Sequence, residues 1–493
     1  MTRPLAALLT LLLGSPAALA CGAFFPGAPD LLAIDGERIL FAREGEQMHM
    51  IARLTWAGEP ADFGWLLPVP RDAQLSLSSE ELFQWLEARF AARFAVRNDY
   101  DESCADWLSS FDAGIGGGAF DGGVDGRSGV QVLAQEAVGP FESVLLAAEQ
   151  AQELITWLEG HGYHAPAGIG ERLQPYLDLG LGVMALRLSA GADSNDVVPV
   201  QLTYTGDVAA IPLRPTGASA VADTALSVHL LGPSRAVPVE PFKHVVINDR
   251  LIDWAGGGEN YAAVVASAAD EAGGHAFATD FAGAVGAYPF RPLPAAQVDE
   301  MAAATTLAEL EAAYFLPEAG ADLQRILRAV ITPPDGADIE AIFDCFECYP
   351  QAAVDGEALG RALRTEFNPA RETLVRVFAQ HPYLTRLTTA LSPAELDRDA
   401  VFAFNPDLAD VEALRQATRR VSCPDGRPDE GGAVTLPVGG RWPGTALRRE
   451  GENRADPSAM PAARRVEWMM AAGQPEVIAD NGDAIDAHGA GGA

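Results

Sequence analysis

The sequence predicts an α+β fold in which a strand-rich mixed N-terminal region is followed by a mainly helical C-terminal region. Up to about residue 289, apolar residues alternate in short runs bounded by Gly and Pro, which is the period of half-buried strands. From residue 290 the apolar spacing changes to i, i+3, i+4, i+7, the period of one helix face. The chain has 493 residues, 48% of them hydrophobic, which is too long for one ordinary core and too apolar for a disordered chain. The layout that follows has residues 1–20 as a signal peptide and 21–289 as the mixed region, with a Gly-rich loop at 112–129. Residues 290–423 form the helical region, and 424–493 a weakly ordered tail rich in Gly, Pro and Ala.

Met1–Ala20 has the three parts of a signal peptide. Arg3 gives a positive start, Leu5–Leu13 an apolar stretch, and Ala18-Leu19-Ala20 places small residues at −3 and −1 before Cys21. The apolar stretch falls short of the roughly 20 residues a spanning helix needs. Export to a periplasmic, cell-envelope or secreted location is expected, with Cys21 at the mature N-terminus. A lipid anchor on Cys21 is the alternative to a plain N-terminal cysteine; Leu19 sits one place off the usual lipobox position.

In the mixed region, Ile39-Leu40-Phe41 and His49–Thr55 read as strands, with Met48, Met50 and Ala52 alternating against His49, Ile51 and Arg53. Trp56-Ala57-Gly58-Glu59-Pro60 is a turn signal, and Phe63–Val69 reads as the strand returning from it. Ser78-Ser79-Glu80-Glu81 opens a helix carrying Leu82, Trp85 and Leu86 on one face. Gly256-Gly257-Gly258 leads into a helix capped near Asn260. Farther on, Leu323, Ile326, Leu327 and Val330 mark a helix stopped by Pro333-Pro334. Ile339, Ile342, Phe343 and Phe346 repeat that spacing, and Ser392-Pro393-Ala394-Glu395 has the form of a capping box. Two echoes, Glu81–Glu87 with Glu153–Glu159 and Leu54–Glu59 with Leu202–Asp207, have unequal offsets and exclude a solenoid period.

Against 34 Lys+Arg stand 68 Asp+Glu, a formal charge of −34. Nucleic acid is excluded as a partner, because phosphate binding needs clustered Lys and Arg. Lys243 is the sole lysine. No later stretch is long and apolar enough for a transmembrane segment in the mature chain.

Five cysteines are present: Cys21, Cys104, Cys345, Cys348 and Cys423. Setting Cys21 aside leaves four disulfide candidates, which pair in three ways. A structural role is expected for Cys345-Phe346-Glu347-Cys348. The pair follows a helical pattern, at the negative end of the dipole, and Asp344 and Glu347 add like charge, so nothing favours thiolate. Each is expected in a disulfide, to the other or to Cys104 and Cys423. A free buried thiol is the alternative.

The histidines His49, His161, His164, His229, His244, His275, His381 and His488 form no metal motif. The closest pair, His161 and His164, lies in a turn without further ligands. Asp112, Asp121 and Asp125 around the glycine loop do not have EF-hand spacing. Neither a nucleophile elbow nor a P-loop is present. No catalytic, metal or cofactor-binding residue is therefore assigned, and no cofactor is expected. Trp56 and Trp65 are expected in the core rather than on a ligand platform.

Cys21-Gly22-Ala23-Phe24-Phe25, Gly36–Phe41 and Asp62–Pro70 resemble the bacterial domain-of-unknown-function 2330 family. Val138–Glu142, Trp157-Leu158 with Gly162-Tyr163, and Asp253-Trp254 with Asn260-Tyr261 continue the resemblance. Asp270–Gly274 and Phe404–Leu408 with Asp410-Val411 carry it to the end of the helical region. The resemblance implies an exported bacterial protein with no assigned activity and no catalytic residues to carry over. It departs at Pro26, where the family pattern often has a second cysteine, so no local bridge to Cys21 is implied.

The function expected from these observations is a noncatalytic extracytoplasmic binding or cell-envelope protein with an unidentified partner. The alternative is an extracytoplasmic hydrolase with a site assembled between the two regions. A pocket that sets a His or Cys against a carboxylate favours the hydrolase; a continuous exposed apolar patch favours the binder.

Overall fold

The computed structural model describes residues 23–26, 33–57, 63–104, 131–160, 168–188, 198–254, 256–423, 427, 434–435 and 460–490. A ten-stranded mixed sheet organises them. In chain order its strands are β1 (Ala33–Glu44), β2 (Gln47–Ala57), β3 (Gln74–Leu77), β4 (Val200–Thr205) and β5 (Ala220–Gly232), then β6 (Lys243–Ile247), β7 (Ala276–Ala284), β8 (Tyr383–Leu391), β9 (Ala463–Trp468) and β10 (Glu476–Asp480). Across the sheet they run β10-β9-β6-β7-β8-β5-β1-β2-β4-β3. The β5–β1 and β6–β7 pairs are parallel; the others are antiparallel. β1 and β2 meet at Gly45-Glu46, where Gly45 takes φ +63°, a conformation that favours glycine in a two-residue hairpin turn.

A second, antiparallel sheet has five strands, in the order Ala23–Pro26, Phe63–Val69, Gly182–Leu188, Phe141–Ala147 and Gln131–Val138. The two sheets face one another across the largest core, and strand alternation decides which residues enter it. Ile39, Phe41, Met48 and Met50 pack with Trp65, Leu67, Leu145 and Met184 from the five-stranded sheet. The alternate residues Leu40, Ala42 and Ile51 turn to the other face of the large sheet, which is covered by helices.

Four helices matter below: α1 (Glu80–Phe90), α2 (Tyr261–Glu271), α3 (Ala321–Val330) and α4 (Asn368–Gln380). Leu82, Leu86 and Phe90 of α1 and Leu374, Val377 and Phe378 of α4 cover the large sheet. Leu323, Ile326, Leu327 and Val330 of α3, the face marked by the sequence period, are buried in a separate helical cluster.

The mainly helical C-terminal region expected from the sequence is not what the chain builds. Helices are spread along the chain, and the region 290–423 contributes β8 to the middle of the large sheet, between β7 and β5. Leu384, Leu387 and Leu391 have spacings of three and four, which imitate a helix face. Thr385, Thr388 and Thr389 between them are β-branched and suit a strand packed on both faces. Within the expected tail, residues 463–468 and 476–480 are β9 and β10, which extend the sheet.

Two local expectations also change. Phe63–Val69 does not return against β2; it pairs with Ala23–Pro26 and Gly182–Leu188 in the second sheet. Ser392–Glu395 starts no helix. Its side chain–backbone bond forms, with Ser392 N donating to Glu395 Oε2 at 2.8 Å, but it closes a turn.

Candidate functional site

At one end of the large sheet, β9, β6 and β7 lie side by side. Val245, Ile247, Ala276, Ala278 and Val466 pack against Val264, Val265, Ala268 and Ala269 of α2. Period-two alternation therefore sends His244, Thr279, Arg465 and Glu467 to the opposite face. There they line a cleft of about 410 Å³ together with Arg235, Arg415 and Asp249.

His244 on β6 and Glu467 on β9 are register partners across an antiparallel pair, which holds their side chains together. His244 Nδ1 lies 3.0 Å from Glu467 Oε2, and Nε2 lies 2.9 Å from Thr279 Oγ1. Thr279 sits at the register shift where β7 bulges against β8. Its hydroxyl also accepts a 3.0 Å hydrogen bond from Arg235 Nη2.

Burial pushes His244 below its ordinary pKa, against the pull of Glu467, so the imidazole is neutral at physiological pH. Burial pushes Glu467 upward. The hydrogen bond with His244 and the nearby charges more than offset this, leaving the carboxyl below its usual range and ionised. An ionised carboxylate can only accept, so Nδ1 of the neutral ring carries the proton. Nε2 is then an acceptor, and Thr279 donates its hydroxyl proton to it. The three side chains form one relay, carboxylate to imidazole to hydroxyl.

Three guanidiniums surround the relay, each from a different strand. Arg235 begins strand Arg235–Val239, which pairs with Ala400–Asn405, and also donates to Ala409 O at 3.2 Å; its buried Nε has no acceptor among the described residues. Arg415 lies on strand Leu414–Val421, beside Arg93–Tyr100. Its guanidinium stands over the rings of Phe94 and Tyr261, at 5.4 and 5.7 Å from their centroids, and donates to Thr279 O at 3.1 Å. Close packing fixes this wall: Gly258, at φ +87°, leaves room for Phe94, whose ring a Cβ would meet at 2.2 Å. Arg465 is 3.2 Å from Glu467 Oε1, and its side chain is 42% exposed, so it can turn to a ligand.

Residues 15–315 match the model of a family described as an uncharacterised protein conserved in bacteria, DUF2330. The chain belongs to the DUF2330 family. No curated protein and no solved structure matches it. In this DUF2330 protein, Arg235, His244 and Thr279 fall inside the matched stretch, whereas Arg415, Arg465 and Glu467 lie beyond it.

The disulfide candidates are elsewhere. Cys104 and Cys423, both buried, have their sulfurs 2.07 Å apart and join the ends of the parallel neighbours Arg93–Tyr100 and Leu414–Val421. Cys345 and Cys348 are 2.10 Å apart on the surface, around the single turn that follows helix Ile339–Asp344. Cys21, residues 1–20, the loop 112–129 with its aspartates, His161 and His164 lie outside the described residues, as does the side chain of Trp56. Trp65 is buried in the core between the sheets. Among the described residues no His, Cys, Asp and Glu group could hold a metal ion. No described helix is long and apolar enough to cross a membrane.

The sequence does not single out the cleft. Arg235, His244, Asp249, Thr279, Arg415, Arg465 and Glu467 come from four separate stretches of the chain, and none of the short motifs tied to hydrolysis or phosphate binding joins them. His244 stands out only as one histidine among eight. The one usable local signal is Arg465-Val466-Glu467-Trp468, where polar and apolar residues alternate with strand period inside a segment otherwise rich in Gly, Pro and Ala.

Proposed function

We propose that this chain is an exported cell-envelope protein that binds a small anionic molecule in the arginine-lined cleft. The observation that carries the reading is the convergence of Arg235, Arg415 and Arg465 on one cavity, in a chain of net charge −34. Two of them have a carboxylate nearby, Arg465 at 3.2 Å from Glu467 and Arg415 at 3.9 Å from Asp249, and Arg235 instead donates to the Thr279 hydroxyl. Among the lining residues, three guanidiniums stand with two carboxylates, Asp249 and Glu467, and a neutral His244, while Asp410 and Asp280 act on Arg235 and Arg415 from outside the lining. A cavity of about 410 Å³ suits a metabolite-sized ligand, and guanidiniums pair bidentately with carboxylate or phosphate.

Export rests on the signal-peptide pattern of Met1–Ala20, and a compartment that oxidises thiols is consistent with the two close cysteine pairs. Titration calorimetry with inorganic phosphate and with succinate tests the binding. Saturable binding that weakens at least tenfold in Arg235→Ala and Arg465→Ala is the expected result. Absence of heat with both anions, or binding indifferent to both substitutions, overturns the reading. Intact mass of protein recovered from a bacterial envelope tests export: the chain is expected to start at Cys21, and a product retaining Met1 rejects it.

A further inference from the structure

The relay in the cleft has chemistry that anion binding does not use. We infer that Thr279 is a nucleophile for acyl transfer, activated by His244 and oriented through Glu467, and that the cleft hydrolyses a carboxylic ester whose acyl part carries a negative charge. The inference rests on the cleft being the ligand site, and on the relay geometry rather than on the arginines alone.

Three features of the relay agree. A general base must touch the proton it takes, and Nε2 is 2.9 Å from Thr279 Oγ1. The base must be held in the correct tautomer, and Glu467 does so at 3.0 Å from Nδ1, fixed by the cross-strand register of the two residues. The nucleophile must meet an electrophile, and Thr279 lines the cavity. Arg235 adds a fourth element. Its Nη2, 3.0 Å from Thr279 Oγ1, places positive charge beside the attacking oxygen, next to the acyl carbon on which the oxyanion develops. A hydroxyl used only for packing needs neither a tautomer-fixed base nor a guanidinium.

The reaction balances with water as the one co-substrate. Thr279 Oγ1 bonds to the acyl carbon while its proton passes to His244 Nε2. The carbon–oxygen bond to the leaving group then breaks, and the departing alkoxide takes that proton and leaves as the alcohol. Water, giving a proton to Nε2, attacks the acyl–Thr279 ester; Oγ1 departs, recovers the proton, and the carboxylic acid is released. Glu467 remains ionised throughout and steadies the transient imidazolium. Arg465 and Arg415 are the groups placed to hold the anionic end of the acyl part, which gives the site its substrate class.

The test uses the full mature chain, with p-nitrophenyl acetate and the p-nitrophenyl monoester of succinic acid as probes. Release of p-nitrophenol and intact mass are followed together, and peptide mapping separates acyl–Thr279 from adventitious acylation of Lys243. The succinyl ester is expected to react at least tenfold faster than the acetyl ester, with one acyl group on the peptide containing Thr279. Thr279→Val, which keeps the shape, is expected to lose about 10²–10⁴-fold in rate and all of the adduct, and Thr279→Ser to retain both. The rate is expected to rise with pH through a base that titrates below the ordinary histidine value, and Glu467→Gln to lower the plateau. Thermal melting of each variant separates loss of chemistry from loss of fold. No turnover in wild type, or turnover and labelling unchanged in a folded Thr279→Val, overturns the inference. Phosphate binding measured on the same preparation separates the two proposals. Binding without acylation sinks only this one, and absence of both sinks the cleft as a ligand site.

Discussion

Two buried polar clusters in this protein use similar residues to opposite ends. In the cleft, Glu467, His244 and Thr279 stand among arginines at a cavity wall. In the joint between α1, α3 and α4, Glu81, Asp322 and Arg371 are buried with Ser79 and Tyr288. Arg371 contacts Glu81, lies 3.8 Å from Asp322, and stands over the Phe367 ring at 3.9 Å. Asp322 also accepts from Ser79 Oγ at 2.7 Å and from Glu80 N at 2.9 Å, so the N-terminus of α1 is capped from another helix. Gly320 is the close approach that permits this, since a Cβ there would lie 1.6 Å from Glu81 Oε1.

The difference lies in how each cluster balances charge. The cleft has a histidine that can stay neutral. The joint has two carboxylates for one guanidinium, so burial, reinforced by Asp322, pushes Glu81 up to about 8. A joint of this kind is a stability element that depends on holding a proton. The cleft is a place where protons can move toward a ligand.

The largest expected effect comes from breaking the joint. Arg371→Leu leaves two buried carboxylates without their cation and is expected to cost about 3–5 kcal/mol, the usual cost of removing one partner of a buried pair. Urea denaturation at pH 7 measures it. A loss below about 1 kcal/mol would mean that the joint tolerates the one negative charge left beside the Glu81 proton, and the contrast with the cleft would disappear.

Next in size is the pH response, where the clusters are expected to pull in opposite directions. Glu81 has a folded pKa above its unfolded value of 4.5. The folded state therefore binds the extra proton, and this stability is full below about 4.5 and lost as pH rises toward about 8. His244 has a folded pKa below its unfolded 6.5. Its contribution is present above 6.5 and lost as pH falls below that value. Chemical denaturation between about pH 5 and 9 is expected to show decline at both ends. Glu81→Gln should flatten the alkaline limb, and His244→Gln part of the acid limb, because buried His49 and His229 are also held below their ordinary values. An alkaline limb unchanged in Glu81→Gln sinks the account of the joint.

How much of this is legible in the sequence differs between the clusters for a physical reason. The helix face of α3 is readable, because Leu323, Ile326, Leu327 and Val330 carry their pattern within one turn or two. Strand alternation is equally readable at Met48–Arg53. The place of β8 is not, since Leu384, Leu387 and Leu391 satisfy a helical spacing while long-range pairing with β5 and β7 makes them a strand. The start of α1 is marked by Ser79, yet Asp322, 243 residues away, supplies the acceptor. The cleft is illegible for the same reason: His244 and Glu467 are 223 residues apart and become neighbours only through sheet register.

A smaller effect on stability is expected at Thr279. Replacing it by Val removes the bonds to His244 and Arg235 while keeping volume, at about 1–3 kcal/mol, the usual cost of leaving buried partners without their hydrogen bond. Melting temperature read beside ester turnover sharpens the comparison, since a site residue should lose chemistry far out of proportion to stability. A melting temperature that collapses in Thr279→Val would move the relay into the same class as the joint.

The smallest expected change in stability is at Arg465, and it is the most diagnostic because a structural guanidinium and a ligand-facing one differ most there. The side chain is 42% exposed and pairs with Glu467 at 3.2 Å, an arrangement in which solvent screens the attraction. Arg465→Ala is therefore expected to cost about 0–1 kcal/mol, against several for Arg371→Leu, although both remove a guanidinium from a buried carboxylate. Glu467 keeps His244 as its partner, whereas Glu81 and Asp322 lose their cation and retain only the bonds from Ser79 and Glu80 N. The same substitution is expected to weaken phosphate and succinate binding at least tenfold and to erase the preference for the succinyl ester. Denaturation and calorimetry on one preparation decide the point. If Arg465→Ala destabilises the fold by several kcal/mol and leaves anion affinity intact, the arginines of the cleft are structural ion-pair partners, and the region belongs with the joint.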